Sequence, residues 1–205
     1  MPSKIEIENW ALIYLEEAPQ VDIRSTSAGE VIDYLYDTVY EQMLKKNTYI
    51  WSFSRKIATL GQVVNQETLE DYSFVYQLPT DYLMTKWVDN SSATFVIVGQ
   101  LVYARVEPFK LLYCAQVSED LVTTEFAHAV AYDLASRAAG VVSGKTEIKK
   151  DLILRAAVEL KKAINLDIAQ MDTQQYMWPN VLYPAKWQSG FPMGSFSNVR
   201  SVGGT

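Results

Sequence analysis

The chain has 205 residues, 49% of them hydrophobic and 20% charged, a balance typical of a globular protein with one sizeable core. Its formal net charge of -6 and isoelectric point near 4.9 argue against tight binding to a phosphate backbone, which requires clustered Lys and Arg. The single cysteine, Cys114, excludes an intrachain disulfide framework and most cysteine-based metal sites, and we expect it to be a small buried apolar residue.

The sequence carries no pattern typical of a membrane or secreted protein. No basic segment followed by an apolar one opens the chain, and no apolar run approaches membrane-spanning length. We therefore expect an intracellular protein that is soluble at synthesis and has no membrane partner.

The first helix is predicted from a capping box. Ser3 and Glu6 form an S-x-x-E pair that opens it, and Pro19 lies beyond its end. Its apolar residues recur on a single helical face: Ile7, Trp10, Ala11, Tyr14 and Leu15. A short extended link at 21–24 follows.

A second capping box, Ser27 with Glu30, predicts a helix at residues 28–45. Its apolar stripe is broad and comprises Ala28, Val31, Ile32, Leu35, Val39 and Met43. A stripe this wide predicts burial on more than one side. Residues 1–46 are thus expected to hold two N-terminal helices.

Short apolar runs separated by polar turns predict an antiparallel meander inserted at residues 49–117. The meander is organised around residues 72–88, where Pro79 ends one strand and a turn leads into the next. Before it, Trp51 and Phe53 alternate with serines, which predicts an extended run over residues 49–60.

Two long helices are predicted within residues 119–172. The third helix, capped by Ser118 or Asp120, has an apolar face of Phe126, Ala129, Val130 and Leu134. The fourth runs from Thr146 to about Met171, with a face recurring at about 3.5 residues: Ile153, Ala157, Leu160, Ile164, Ile168 and Met171. The predicted fold is α+β, mainly α: a helical bundle of two N-terminal and two C-terminal helices with an inserted β-region, forming one domain over residues 1–173.

The last segment, residues 174–205, differs in composition from the rest. Prolines and glycines preclude a regular helix there, yet large aromatic residues are frequent. We predict an extended docking tail that either wraps its own domain or docks on a neighbouring chain. Its predicted contacts with another subunit or partner are Trp178, Tyr183, Trp187, Phe191 and Phe196.

Catalytic chemistry is sparse. The only histidine, His128, lies on the third helix, so multi-histidine metal sites are excluded and a structural role is favoured. No phosphate-binding glycine loop and no nucleophile elbow occurs. We therefore predict no catalytic, cofactor-binding or metal-binding residues, and a protein that is not an enzyme.

Three local features resemble the tail tubular protein A family, the head-to-tail adaptors of short-tailed bacteriophages. The first is the helix end and link at residues 11–23, although residues 16–19 lack the glycine of the family's turn. The second is a Trp-x-Phe segment, and the third is an aromatic-x-Leu-Pro-x-Asp-aromatic-Leu segment at residues 76–83. The matching positions are Trp51, Phe53, Tyr76, Leu78, Pro79, Asp81 and Tyr82.

The resemblance implies a structural virion protein in the tail or neck, assembled in the host cytoplasm. About a dozen copies would form a ring beneath the portal protein, extend the DNA channel and support the tail nozzle and, in some phages, tail fibres. DNA would pass through the ring without sequence-specific binding, which suits an acidic wall that repels phosphates. The alternative is an α+β module that binds a small molecule or peptide in a tyrosine-lined pocket.

Overall fold

The computed structural model describes residues 2–46, 49–64, 67–88, 94–142 and 146–175. It has an α+β fold, about 52% helical, and the predicted class is confirmed. The helices in this part of the chain are α1 (Lys4–Tyr14), α2 (Ser27–Leu44), α3 (Thr124–Val142) and α4 (Thr146–Gln175). The strands are β1 (Arg55–Thr59), β2 (Phe74–Gln77), β3 (Tyr82–Val88), β4 (Phe95–Val98), β5 (Leu101–Ala104) and β6 (Lys110–Ala115).

The capping box at the start of α1 is confirmed. The backbone N–H of Ser3 donates to Glu6 Oε2 at 2.7 Å, and the Ser3 hydroxyl donates to the same oxygen at 2.9 Å. Just beyond the helix, Glu16 has φ 63°, in the left-handed region that residues other than glycine rarely adopt. The chain therefore turns sharply before Pro19, as predicted.

The predicted cap of α2 is wrong by one residue. Ser27 is already helical, and the capping residue is Thr26, whose hydroxyl accepts a hydrogen bond from the Gly29 N–H at 3.2 Å. The preceding link is not extended throughout, because Ile23–Ser25 form a 3₁₀ turn. The Asp22 carboxylate accepts from the Arg24 N–H at 3.1 Å and satisfies a backbone donor of that turn.

The run predicted as extended from residue 49 is also corrected. Ser52–Ser54 form a 3₁₀ turn, and the strand starts only at Arg55. Asp167 of α4 explains the turn: its carboxylate accepts from the Ser52 N–H at 3.0 Å, the Ser52 hydroxyl and the Tyr49 hydroxyl at 2.6 Å. This buried carboxylate, 2% exposed, replaces the ladder bonds that the segment would otherwise make.

The strands pair antiparallel, as predicted, but they do not form a meander. One sheet has the order β1-β6-β3 and the other the order β2-β5-β4. Among the described strands, only β4 and β5 form a local hairpin, through a two-residue loop in which Gly99 has φ +61°. Consecutive strands β2 and β3 belong to different sheets, because each pairs with a strand that follows later in the chain.

The buried face of α3 is as predicted, since Phe126, Ala129, Val130 and Leu134 are fully buried. The cap is different: the Thr123 hydroxyl accepts from the Phe126 N–H at 3.3 Å, while residues 119–121 form a separate 3₁₀ turn. The predicted face of α4 is only partly right, because Leu160 is buried and Ile164 packs partly buried against the core. The buried residues there are Leu152, Ala156, Leu160, Ala163 and Asp167, whereas Ile153 and Ile168 are exposed.

By its contacts the chain divides into two units, residues 1–168 and 169–205. The first unit contains two apolar cores. The larger is formed by the helices with Trp51, Cys114 and Val117, and the smaller by the strands around Tyr76, Val102 and Phe109. Cys114 is fully buried, and burial raises the pKa of its thiol, which therefore stays protonated.

Candidate functional site

The Trp-x-Phe segment that carries the family resemblance lies in the helical core. The Trp51 side chain is 1% exposed, and its indole N–H donates to the Met43 carbonyl at 3.3 Å. Its ring contacts Phe126 edge-on, with centroids 4.8 Å apart, and is stacked with Phe53 at 5.6 Å. These two positions are structural, because they join α2 and α3 to the start of the β-region.

The second motif segment lies in the β-region. Tyr76 and Leu78 are buried in the strand core, and the Tyr76 hydroxyl donates to the Val106 carbonyl at 2.8 Å. Pro79 ends the strand and is only partly buried. The hydroxyl of Tyr82 and that of Thr85 lie 2.9 Å apart.

Asp81 holds three parts of the β-region together. Its carboxylate accepts from Lys56 of β1 at 2.7 Å and from the Tyr113 hydroxyl of β6 at 3.0 Å, while its carbonyl accepts from the Gln116 N–H. Burial opposes ionisation, but the hydrogen bonds from Lys56 and Tyr113 hold the pKa of Asp81 below its usual range. The motif aspartate is therefore an ionised structural anchor.

The predicted contact residues of the tail, from Trp178 to Phe196, lie outside the described residues. The structure instead reveals a groove between α1, α3 and α4 that encloses about 450 Å³. Ligand sites commonly fall within this range of volumes. The lining residues are Ile13, Tyr14, Glu16, Tyr132, Ile148, Asp151, Leu152 and Arg155.

An aromatic ladder fixes one wall of the groove. Tyr14 and Tyr132 are stacked with ring centroids 3.8 Å apart and planes 2° apart, and Trp10 is stacked on His128 at 4.2 Å. Each pair joins α1 to α3, and the members on each helix are four residues apart. The ladder therefore holds the two tyrosine rings in place before any ligand arrives.

His128 supports this wall of the groove. Its Nδ1 lies 2.7 Å from the Tyr14 hydroxyl. Burial, followed by the proximity of Tyr132, raises the pKa of Tyr14, so its hydroxyl is protonated at neutral pH and can donate to Nδ1. The hydrogen bond orients Tyr14 against Tyr132, which agrees with the structural role predicted for the histidine.

The rim of the groove is charged. Arg155 Nε donates to Asp151 Oδ2 at 2.6 Å, and both side chains are more than half exposed. Glu16 adds a second carboxylate to the lining. Ile13 is 50% exposed beside them. The groove thus combines apolar and aromatic walls with a charged rim, a composition that suits an aromatic ligand with a polar or charged group.

Sequence reasoning misses this groove. Periodicity assigns Tyr14 to the buried face of the first helix, and it does not single out Tyr132, Asp151 or Arg155. The available signal is the matching i, i+4 spacing of aromatic rings in α1 and α3. Spacing alone cannot show that these helices lie side by side, because Tyr14 and His128 are 114 residues apart.

Glu8 is an unusual buried acid on the other side of α1. It is 2% exposed, and among the described residues its Oε1 has no hydrogen-bond partner. Burial raises the pKa of Glu8 to about 7, although Lys4 Nζ at 3.7 Å acts in the opposite direction. The nearby Asp33 stays ionised, because the hydrogen bond from Lys4 outweighs burial and lowers its pKa.

We expect Glu8 to make the protein less stable at neutral and alkaline pH than at acidic pH. The folded state holds its proton above the ordinary pKa of 4.5, so the stabilisation is full below that value and is lost as pH rises through about 7. The free energy of unfolding should fall by about 3 kcal/mol across this window. Glu8→Gln should reduce the difference between the urea midpoints measured at pH 5 and pH 8. Glu17→Gln, at an exposed position, should leave that difference as it is in the wild type.

Much apolar surface of α4 is exposed. Ile153, Leu154, Val158, Leu166 and Ile168 are between 42% and 67% exposed. Large apolar side chains exposed in this number on one helix are a signal of an interaction site. We refer to these five residues as the exposed face of α4.

The described residues give no sign of a metal or membrane site. Among them no group of three or more His, Cys, Asp or Glu could hold a metal ion. Within the same ranges, no helix is both long and apolar enough to cross a bilayer. No protein-family model matches the chain, and neither does any curated protein.

Proposed function

We propose that this protein is a subunit of a ring-shaped head-to-tail adaptor that joins a phage portal to the tail nozzle and extends the DNA channel. It acts without catalysis, and its partners are copies of itself, the portal protein and the nozzle protein. The observation that carries this proposal is the exposed face of α4, because isolated domains rarely leave so many large apolar residues on one helix uncovered.

The turn after α1 supports the family resemblance. The family has a glycine in this turn, and this chain has residues 16–19 in its place. Glu16 has φ 63°, the backbone conformation for which glycine is favoured. A left-handed residue at this place is what the family's glycine would supply.

The arrangement of elements also supports the proposal. The order of elements, two helices, six strands and two helices among the described residues, is that of a helical bundle with an inserted β-region. The motif residues Trp51, Tyr76 and Asp81 support that arrangement through side-chain hydrogen bonds. An acidic chain in a channel wall would let DNA slide without adhering.

We expect deletion of residues 174–205 to abolish assembly but leave a folded monomer. The tagged full-length protein, captured from its native lysate, should bring down a portal-like and a nozzle-like protein in comparable amounts by mass spectrometry. The truncated protein should melt close to the full-length temperature and capture neither. A truncated protein that melts far lower would place the tail in the core instead.

The groove between α1, α3 and α4 favours a second candidate, a module that binds a small molecule or a peptide. Its stacked tyrosines and apolar lining are typical of a ligand site. This function requires saturable binding with a rise in melting temperature. Capture of the chain as a compact monomer without stable partners would favour it over the adaptor.

A further inference from the structure

One side of α4 presents apolar side chains between two cations. Lys150, Leu154, Val158 and Lys161 follow one another at intervals of three or four residues, so they lie along one side of the helix. All four are exposed, Leu154 by 67% and Val158 by 53%. We refer to these four residues as the α4 stripe.

The two cations of the α4 stripe are uncompensated. The neighbouring cations differ, because Arg155 Nε and Lys162 Nζ each lie within 2.7 Å of a carboxylate oxygen of the same helix. Across the ranges that the structure describes, Lys150 and Lys161 form no ion pair. The stripe is therefore suited to a partner surface that combines an apolar or aromatic group with an acid.

The exposed side of α2 has that composition. Tyr34 is 84% exposed, and Glu30 lies one helical turn before it. Asp37 and Glu41 on the same side are already engaged by lysines of the chain. Glu30 is exposed and has no ion-pair partner in the described part of the chain, so its charge is available to a second molecule.

We infer that the exposed side of α2 in one copy docks on the α4 stripe of the next copy. Tyr34 packs against the apolar residues Leu154 and Val158. Glu30 pairs with one of the two lysines that flank them. The inference rests on the proposed ring, which requires contacts between copies, and it names the two surfaces that meet.

The spacing of the residues fits in either direction of the helices. Tyr34 lies four residues after Glu30, Leu154 lies four residues after Lys150, and Val158 lies three residues before Lys161. When Glu30 meets either lysine, Tyr34 therefore lies opposite an apolar residue one turn away. An exposed tyrosine that packs between apolar side chains is typical of the residues that contribute most to binding.

A second α4 stripe would be a poor partner. Parallel stripes bring each lysine against its own copy, and antiparallel stripes bring Lys150 against Lys161, so like charges meet in both cases. A two-fold contact of this kind also closes after two copies, whereas a contact between two different surfaces repeats around a ring. The proposed ring thus requires two different surfaces, and those of α2 and α4 are complementary in charge.

The test uses the full-length chain with p-benzoyl-phenylalanine replacing Tyr34, captured from native lysate and then irradiated. Because Tyr34 is largely exposed, this replacement should not disturb the fold. We expect a covalent dimer on a denaturing gel, with the link mapped by mass spectrometry to residues 151–161. The same photoreactive residue replacing Ile57, which is 57% exposed on β1, is the matched control and should give no link to these residues.

A charge exchange tests the ion pair. Glu30→Lys should lower the dimer yield about fivefold, because attraction becomes repulsion. Adding Lys150→Glu or Lys161→Glu should restore most of the yield, and the one that does so gives the relative direction of the two helices. Failure of both to restore the link would overturn the pairing.

Two controls separate docking from folding and from net charge. Glu30→Lys also opposes the helix dipole at the start of α2, so its melting temperature is measured in parallel. Lys150→Glu and Lys161→Glu, both at exposed positions, should keep the melting temperature within about 3 °C of wild type. Glu17→Lys changes the net charge as Glu30→Lys does but lies outside both surfaces, and it should leave the dimer yield unchanged.

The same samples separate the two proposals. Portal-like and nozzle-like chains without a link from α2 to α4 would overturn the docking but leave the adaptor function standing. Absence of those chains would overturn the adaptor function, while the gel still reports on the docking. A link within one chain, a link from α2 to α2, a link to the portal-like protein, or no link at all would each overturn the docking of α2 on α4.

Discussion

Gly29→Ala should destabilise the protein by about 3 kcal/mol, although helix propensity alone predicts the opposite sign. A Cβ at this position would lie 1.7 Å from the Ile23 carbonyl oxygen and 2.8 Å from its carbon. Real Cβ atoms essentially never approach another heavy atom within 3.0 Å, and both obstructing atoms are backbone. The 3₁₀ turn at Ile23–Ser25 must therefore move away from α2.

Moving that turn would break several contacts together. The Gly29 N–H donates to the Thr26 cap, Ile23 is 7% exposed, and Arg24 binds Asp33 of α2 with 2.6 Å between Nη2 and Oδ2. The gain of about 1 kcal/mol from replacing a helical glycine cannot offset this displacement. Urea unfolding should show a lower midpoint with an unchanged slope.

Gly61→Ala is the matched control. A Cβ there meets no heavy atom within 4 Å, so its free energy of unfolding should stay within about 0.5 kcal/mol of wild type. If Gly29→Ala were as stable as wild type, the close crossing of the turn over α2 would be wrong.

Local signals predict the elements well where one residue type decides the structure. Ser3 with Glu6 opens α1, Pro19 and Pro79 end runs, and Gly99 forms the hairpin loop. These features depend on residues a few positions apart, so the sequence contains them directly. The class of the fold and the buried face of α3 follow from the same kind of evidence.

Partnerships over long distances are not predictable in this way. The buried Asp167 carboxylate accepts hydrogen bonds from Tyr49 and Ser52, which lie more than 100 residues earlier in the chain. The segment predicted as a strand therefore contains a 3₁₀ turn. The buried acid also explains why the buried face of α4 is not predicted correctly. Hydrophobic periodicity favours Ile153 and Ile168, whereas the residues that are buried include alanines and an aspartate. The exposed face that results is the surface on which the adaptor proposal depends.

The candidate site illustrates the same limit. The rings of Trp10 and Tyr14 belong to the apolar face of α1, so helical periodicity assigns them to the core. Their partners His128 and Tyr132 lie on α3, and only the packing of the two helices aligns the pairs into a ladder. Tyr14 and Tyr132 line the groove together with Leu152 of α4, and both tyrosines are only partly buried.

Trp51→Ala should destabilise the protein by about 4 kcal/mol, the largest effect expected of any single truncation in the helical core. The ring is almost fully buried and contacts Tyr49, Phe53 and Phe126. Removing it leaves a cavity where α2, α3 and the segment before β1 meet. It also removes the hydrogen bond from the indole N–H to the Met43 carbonyl.

Trp51→Phe separates these contributions, since a benzene ring keeps much of the packing and lacks the N–H. Trp51→Phe should lower the free energy of unfolding by about 1.5 kcal/mol, because it loses the hydrogen bond and leaves a smaller void. Tyr34→Ala, on the exposed surface of α2, should change stability by less than about 0.5 kcal/mol. Urea midpoints for the three variants should therefore rank Trp51→Ala far below Trp51→Phe, with Tyr34→Ala near wild type. If Trp51→Ala and Tyr34→Ala had equal midpoints, the motif tryptophan would not be the buried junction between the helices and the β-region.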